Sequence, residues 1–483
     1  MTLIAVPTPP STRRATNRPA PRRHPADGRR SGPAAARRPS AADLAAATPD
    51  SRERYVDFLR AASIVSVVLG HWLMAVVTWR HGRFSTGNSI AVVPGLWALT
   101  WVLQVMPVFF FVGGFANLVT LDALARRGAG YAEYVTGRAR RLLRPMLVLL
   151  AVWVPMCAIL PALGVDGDVV KHATTLVSQP LWFIGVYLIV VALAPVMLSL
   201  HRSHGLRALV GLAAAAIMVD VVRFRTGVDV LGYLNIAFVW LFAHQLGFFY
   251  ADGRLRSLTR RQLRGLALAG FGALVLLTTF AGYPHSMVGL PGERISNMSP
   301  PTVCILALTV LQVALVMLAR DFVSARLERP RAWTRVVALN GVIMTVFLWH
   351  LTALLLIVTV TFPLGFPQPA AGTALWWATR PVWIAMLLGA LAGLVVLLAR
   401  FERPKAEATE PRAGDRSDGR AVAGVVLLIV AVTGIASTGL VGLTSTHATL
   451  VFLPVTPLQN LLTLTAGLAL LFARPARTLE VSR

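Results

Sequence analysis

Runs of roughly twenty apolar residues recur along almost the whole chain, from Val56 to Phe472. Hydrophobic residues make up 56% of the 483 and charged residues only 14%, so the burial of one soluble core does not explain so many separate runs. A helix of about twenty residues crosses the ~30 Å hydrocarbon core of a bilayer. The sequence therefore predicts an all-α protein, a polytopic bundle of transmembrane helices.

Twelve spans are predicted, and the cations between them fix an orientation. The spans are 56–78, 97–121, 145–163, 181–200, 207–222, 233–250, 263–282, 302–319, 336–362, 376–399, 421–443 and 450–472. Arginines concentrate in alternate connections, with Arg223 and Arg225 as the main exception. The positive-inside rule then predicts a multi-pass protein of the plasma membrane with both termini in the cytoplasm. The net charge of +25 follows from this pattern, so the expected partner is the lipid bilayer and not nucleic acid.

Composition divides the chain into four parts. Residues 1–54 are rich in Arg, Pro and Ala and lack the apolar stretch of an export signal, which predicts a disordered cytoplasmic tail. Residues 55–400 hold ten spans. Residues 401–420 form a polar cytoplasmic linker, and residues 421–483 hold two further spans and a short tail, which look like an appendage to the core.

Two histidines stand out inside predicted spans. Arg60 and His71 lie eleven residues apart, so they share one helix face, and His71 lies ~16 Å deeper than Arg60, near mid-membrane. His350 lies at a similar depth in the ninth span. An ionisable group at this depth is costly and marks a functional site by default. The alternative is a histidine that only forms hydrogen bonds between helices.

A group of arginines precedes the third predicted span. Arg138, Arg141 and Arg144 are followed by Pro145, which suits the first turn of a helix. A helix starting there would add its free N–H groups to the guanidiniums and form an anion site suited to phosphate. The alternative is ordinary anchoring to lipid headgroups.

The remaining polar and sulfur-containing residues carry weaker signals. His201 and His204 are expected to be solvated in a short inner loop. Cys157 and Cys304 have no metal-ligand or disulfide spacing, so we expect no metal. Several buried polar residues are expected to form interhelical hydrogen bonds: Asn117, Asn235, His244, Gln245, Gln312 and Asn340.

Five short motifs, in this order, give the chain a family resemblance. They are Asp57-Phe-Leu-Arg60 with His71 eleven residues on, Phe109-Phe-Phe-Val-Gly-Gly-Phe115, Arg141-x-x-Arg144-Pro145, Leu181-Trp182-Phe183 and Phe347-Leu-Trp-His350. Over residues 55–400 the chain resembles the acyltransferase-3 family of integral membrane O-acyltransferases. It departs from that family at Gly113, where a serine is usual.

The resemblance implies a ten-helix core that moves an acyl group, often acetyl, from cytoplasmic acyl-CoA to a hydroxyl of an extracytoplasmic or membrane-linked carbohydrate. It implies that the residue matching His71 is essential. It also associates the arginines matching Arg60, Arg141 and Arg144 with the donor and the active site. The acceptor, the acyl chain length and the oligomeric state, a homo-oligomer included, stay open.

On that basis we predict a site with named roles. The phosphates of acyl-CoA dock on Arg141, Arg144 and Arg138, and His71 acts as general base or as a transient acyl carrier. Arg60 joins the catalytic region, and His350 and Trp349 are candidates for the oxyanion donor. Trp182 and Asp57 are assigned to substrate binding, Asp57 at the donor end.

The rival interpretation is a twelve-span secondary transporter that uses buried histidines as a proton relay. The sequence shows no symmetry between its two halves and no ion-coupling carboxylates at the helix centres, and so it does not favour a transporter.

Overall fold

The computed structural model describes residues 40–80, 83–402 and 417–473, and everything described from Ala41 onward belongs to one compact unit. Most of the predicted tail (1–54) and the middle of the predicted linker (401–420) lie outside the described residues.

The described residues form α-helices and two small hairpins. The helices are α1 (Ala41–Ala46), α2 (Arg54–Met74), α3 (Ser89–Val92), α4 (Thr100–Leu103), α5 (Met106–Ala125), α6 (Tyr131–Ala162), α7 (Gly167–Ser178), α8 (Leu181–His204), α9 (Leu206–Thr226), α10 (Asn235–Ala251), α11 (Arg260–Phe280), α12 (Val303–Leu327), α13 (Pro330–Asn340), α14 (Ile343–Thr361), α15 (Ala374–Glu402), α16 (Asp418–Thr438) and α17 (Pro457–Phe472). Short 3₁₀ helices cover Leu96–Leu99 and Asp229–Leu234. The strands are β1 (Ala75–Arg80), β2 (Arg83–Asn88), β3 (Ala448–Leu450) and β4 (Leu453–Val455).

Within the described ranges, ten helices are long and apolar enough to cross a membrane. The predicted all-α transmembrane bundle is therefore confirmed. Two of the twelve predicted spans are not among the ten. The helix α9 carries Asp220, Arg223 and Arg225, and α17 has only 16 residues.

The third span begins earlier than predicted. The helix α6 starts at Tyr131 and continues through Pro145, so the helix N-terminus lies more than three turns away from Arg144. A proline removes one backbone donor and clashes with a carbonyl one turn back, but helices in a membrane tolerate this when neighbours satisfy the freed groups. The predicted anion site on a helix N-terminus beside these arginines is wrong.

Two antiparallel hairpins lie where the sequence predicted helix. One replaces the end of the first predicted span, and the other replaces the start of the twelfth. The strands β1 and β2 pair from Ala75 with Asn88 to Arg80 with Arg83, directly after α2. The strands β3 and β4 precede α17. Both hairpins lie at the end of the bundle that is opposite Arg60, and both contribute to the cavity described below.

The last two predicted spans are not an appendage. The helix α16 packs against α6, α7 and α8 as well as α17, and Leu428, Val432 and Ile435 belong to the same buried core as Ile184. The described end of the predicted tail is ordered as well. The helix α1 packs on α13, and the indole N–H of Trp333 donates to the Thr48 hydroxyl over 3.0 Å.

Candidate functional site

His71 and His350, predicted to lie at matched depth, are in direct contact. The Nδ1 atom of His71 lies 2.8 Å from Nε2 of His350, and the two rings are nearly parallel, with an interplanar angle of 7°. His350 is fully buried, while His71 is half-buried. The helices α2 and α14 therefore join their two imidazoles into a pair.

The partners of the two rings determine which nitrogen carries each proton. The Nδ1 atom of His350 lies 2.6 Å from the carbonyl oxygen of Phe347, and a carbonyl only accepts, so Nδ1 is the donor. In the neutral ring Nε2 of His350 is then an acceptor, and Nδ1–H of His71 must donate to it. This leaves Nε2 of neutral His71 unprotonated. Nε2 makes no hydrogen bond with any described residue, so it is free to accept a proton.

A second contact between the same helices fixes the pair. The indole N–H of Trp72, which follows His71, donates to the backbone carbonyl of His350 over 3.0 Å. Trp72 is fully buried. The spacing of His71 and His350 is therefore held by packing and by a backbone hydrogen bond, and not by the two rings alone.

His71 lines a cavity of about 780 Å³, which we call the His71 cavity. The cavity is lined by α2, by β1 and β2, by the segment before α5, by α8 and by parts of α10, α14 and α16. Its aromatic wall contains Phe183, Trp182, Trp376 and Trp377, and its volume is that of a substrate-sized cavity. The assignment of Trp182 to substrate binding stays a prediction.

The lining of the His71 cavity is uncharged. No Asp, Glu, Lys or Arg is found among the described residues that line it, and His71 and Tyr233 are the only titratable side chains there. Most other lining residues are apolar, with Ser, Thr, Asn and Gln between them. Because an unpaired charge in such surroundings is costly, the cavity favours a ligand that carries none.

The arginines gather at the other end of α2. Arg52 donates to both carboxylate oxygens of Asp57, over 2.6 and 3.0 Å, and this hydrogen bonding raises the pKa of Arg52. Arg60 donates to Asp57 over 3.0 Å and to the amide oxygen of Asn340 over 2.7 Å. Asn340 in turn donates to the backbone carbonyl of Asp57. Asp57 is 7% exposed and is not among the residues that line the His71 cavity. The observed contacts of its carboxylate are with Arg52 and Arg60.

Arg141 completes a basic cluster. It lies within Coulombic range of Arg60, Arg52 and Arg138 and is exposed. We call Arg52, Arg60, Arg138 and Arg141 the basic cluster, and Asp57 is the carboxylate paired within it. Such an excess of guanidiniums around one carboxylate is suited to an anion with several oxygens, and phosphate fits this description.

The structure gives the three arginines of α6 that were assigned to the donor, Arg138, Arg141 and Arg144, different surroundings. Arg138 donates to the carbonyl of Ala116 over 2.6 Å and to the hydroxyl of Thr120 over 2.7 Å, so part of its hydrogen bonding ties α6 to α5. Arg141 makes no hydrogen bond with the described residues. Arg144 is half-buried and likewise makes none with them. Among the three, Arg141 is the most available to a ligand.

A group of aromatic rings extends from the wall of the His71 cavity toward the basic cluster. Phe183 and Phe347 line the cavity, with ring centroids 5.3 Å apart. Tyr187, one turn along α8, lies 5.8 Å from Phe183 and within Coulombic range of Arg60 and Arg141. Phe109 packs on both Phe183 and Tyr187. These four rings, Phe109, Phe183, Tyr187 and Phe347, form what we call the ring layer.

Gly113, which stands where the family usually has a serine, lies against Tyr187 of the same layer. A Cβ on Gly113 would come within 3.0 Å of a ring carbon of Tyr187 and 3.2 Å of its hydroxyl. Tyr187 thus fills the space of a side chain at this position, and glycine allows the ring to approach α5.

Trp240 is a candidate functional residue that no sequence motif singles out. Its indole N–H is buried on a residue that lines the His71 cavity and has no hydrogen-bond partner among the described residues. His350, which the sequence offered as an oxyanion donor, uses both ring nitrogens for Phe347 and His71. Trp240 is therefore the better candidate for a donor to substrate oxygen. In the sequence it is one tryptophan within an apolar run, and nothing there distinguishes it from a packing residue.

His201 is not solvated as predicted. It is 4% exposed, and its Nδ1 accepts from the amide of Gln245 over 3.0 Å. Its Nε2 lies 3.1 Å from a carboxylate oxygen of Asp252. These contacts join α8 to α10, and none of the three residues lines the His71 cavity.

Comparison with known proteins gives one match. Residues 53–399 match a family model described as "Acyltransferase domain". The matched range contains both histidines of the pair and the basic cluster apart from Arg52, and it ends before α16. No curated protein and no solved structure matches the chain.

Proposed function

This chain belongs to the acyltransferase-3 family and is a membrane acyltransferase, and from that premise we propose that it transfers acetyl or another acyl group from acyl-CoA to a hydroxyl of an uncharged carbohydrate or glycolipid. The one observation that carries this proposal is the contact of His71 Nδ1 with His350, which leaves Nε2 of His71 without a hydrogen-bond partner among the described residues, on a side chain that lines the His71 cavity.

The proposed chemistry is direct transfer with His71 as general base. The acceptor oxygen attacks the thioester carbonyl carbon as Nε2 of His71 takes the hydroxyl proton. The tetrahedral intermediate collapses with cleavage of the C–S bond, and the departing thiolate takes the proton back from the imidazolium. The products are an ester and free CoA, and His71 returns to its neutral form. An acyl-histidine route would use the same nitrogen as nucleophile.

His350 is a positioning residue in this scheme. By accepting from Nδ1–H of His71 it holds the tautomer in which Nε2 is the base, and its hydrogen bond to Phe347 holds its own tautomer. We assign the oxyanion contact to the indole N–H of Trp240.

The basic cluster supports a phosphate-bearing donor. Arg141 offers an uncommitted guanidinium, and Arg60 is oriented by Asp57 and Asn340. Arg60 therefore acts at the donor phosphates, about three turns of α2 from His71. The phosphates of acyl-CoA would bind here, while the uncharged pantetheine arm extends toward His71. We place Arg144 and Arg138 at the edge of this proposed donor site.

The donor path requires the ring layer to move. The residues that line the His71 cavity do not include the arginines, so the thioester would pass between Phe183 and its neighbours. Aromatic side chains exchange rotamers more readily than helices separate. A closed ring layer would keep the acyl-CoA thioester from water when no acceptor is bound.

Orientation follows from the same division. We place the basic cluster on the cytoplasmic side, where acyl-CoA is made, and the His71 cavity toward the outer face of the plasma membrane. Both termini are then cytoplasmic. The uncharged lining favours a neutral acceptor, which excludes uronic acids and phosphosugars at the part that enters the cavity.

The experiment that tests this function measures release of CoA. Purified protein in detergent is given acetyl-CoA with and without a neutral glycoside, and His71→Gln is the blank. Acceptor-dependent release that His71→Gln lacks is expected. The transporter alternative, which the family match does not favour, predicts substrate uptake into liposomes without CoA release.

A further inference from the structure

The helix α16 lies outside the residues that match the family model, yet it supplies part of the wall of the His71 cavity. Thr433 and Ser437, one turn apart on α16, line the cavity, and so do the neighbouring residues Thr449, Leu450 and Val451 of the second hairpin. The C-terminal helices thus add a wall that the matched range 53–399 does not contain.

Close packing holds this wall in place. A Cβ on Gly185 of α8 would clash with the Thr433 hydroxyl, so glycine lets α16 approach α8. A Cβ on Gly434 would likewise clash with the amide of Asn460 on α17. That amide donates to the Thr438 hydroxyl over 3.2 Å. The two faces of α16 are therefore fixed, one against α8 and the other against α17.

The two hydroxyls of the wall are set up as acceptors. Thr433 donates to the carbonyl of Ile429 over 2.7 Å, and Ser437 donates to the carbonyl of Thr433 over 3.0 Å. With its hydrogen used, each oxygen can still accept from a ligand O–H. Gln179, also on the cavity wall, is exposed, and its side-chain amide makes no hydrogen bond with the described residues. Neutral acceptors and an amide form a surface for a polyol.

We propose that Thr433 and Ser437 form an acceptor subsite that binds hydroxyl groups of an uncharged, carbohydrate-like molecule and determines which acceptor reaches His71. This inference rests on the proposed function. It assigns acceptor selection to α16, whereas the histidine pair and the basic cluster lie in the rest of the bundle.

The experiment compares the double variant Thr433→Val with Ser437→Ala against Thr465→Val, an exposed threonine of α17 that does not line the cavity. The probes are acetyl-CoA and a panel of neutral methyl and octyl hexosides. For the double variant we expect KM for the hexoside to rise about 5- to 10-fold, with KM for acetyl-CoA unchanged and kcat within about twofold. Thr465→Val should behave as wild type.

Equal hexoside KM in wild type and the double variant overturns the subsite, and so does the absence of any accepted hexoside. CoA release that depends on His71 is scored in the same samples, so a failure of the proposed function is seen separately.

A labelling measurement covers the case in which the double variant does not fold. Ser437→Cys and Thr465→Cys, each in a Cys157→Ala background, are treated with a maleimide. The accepted hexoside should slow labelling at position 437 and leave position 465 unaffected. Equal rates at position 437 with and without hexoside contradict the subsite.

Discussion

The two ends of α2 differ in one property, the tolerance of charge. At the Arg60 end the basic cluster gathers guanidiniums around the single carboxylate of Asp57. At the His71 end the described cavity lining contains no Asp, Glu, Lys or Arg. The ring layer around Phe183 lies between them. One helix therefore connects a place that attracts anions to a place that excludes them.

This difference shows how one bundle can handle two chemically unlike substrates. In the proposed reaction the charges of a polyanionic donor bind far from the reacting atom, and an uncharged acceptor binds near the base. In water-poor surroundings a charge next to His71 would alter its basicity and repel or trap ligands. Distance from the arginines therefore spares the imidazolium that the proposed transfer forms on His71 from like-charge repulsion.

The largest effect is expected at His71. Replacing it with Gln should lower acyl transfer by about 10²- to 10⁴-fold, because the general base is lost. Acetyl transfer from radiolabelled acetyl-CoA measures this, and His204→Gln, an exposed histidine, is the control. Retention of most of the activity by His71→Gln would remove the catalytic assignment.

Arg141 tests the other region. Arg141→Gln should raise KM for acetyl-CoA about 10- to 100-fold, because a charge-assisted contact to phosphate is lost, and should leave KM for the acceptor unchanged. Arg144→Gln should have a smaller effect, and Arg127→Gln, an exposed arginine outside the basic cluster, none. An effect confined to the acceptor would place the donor elsewhere.

His350 tests the tautomer argument. His350→Leu should lower kcat about tenfold, since Nδ1–H of His71 loses its acceptor and the base is no longer held in one form. His350→Gln, whose amide oxygen can accept, should recover part of the loss. The pH dependence of kcat separates this role from a packing defect, because packing alone leaves its shape unchanged. Identical pH profiles and equal losses in both variants would contradict the positioning role.

The ring layer should act as a barrier. Phe183→Leu opens space between the two regions. We expect the rate of acetyl-CoA hydrolysis without acceptor to rise several-fold, the rate change that corresponds to the free energy of one lost aromatic contact. Free CoA measured in the absence of acceptor reports this rise. Leu356→Ala, on an exposed face of α14, is the control. Unchanged hydrolysis would mean that water is excluded by another part of the bundle.

The smallest effect is expected at Trp240. Trp240→Phe keeps the ring that packs on Phe110 at 4.7 Å and removes the N–H. A loss of about 2- to 10-fold in kcat, with little change in either KM, is expected from the loss of one neutral hydrogen bond. A change in KM for the acceptor alone would instead assign the N–H to acceptor binding.

Several features were predictable because they depend on local composition or on helix periodicity. Apolar runs gave the transmembrane helices, and the spacing of eleven residues put Arg60 and His71 on one face of α2. The start of α6 was not predictable from Pro145, because tertiary packing overrides the usual effect of proline on a helix boundary. The end of α2 at Met74 was not predictable either, because Ala75, Val76 and Val77 of β1 continue the apolar run of the helix.

By itself the sequence determined that this protein is a membrane-embedded helical bundle and which family it belongs to, and it singled out the histidines and arginines that are the candidate site residues. Only the tertiary structure decided that His71 and His350 touch, that Asp57 orients Arg60, and that α16 forms a wall of the His71 cavity. The physical reason is range. Hydrophobicity and helical spacing act over neighbouring residues, whereas a hydrogen bond between residues 71 and 350 depends on how distant helices pack.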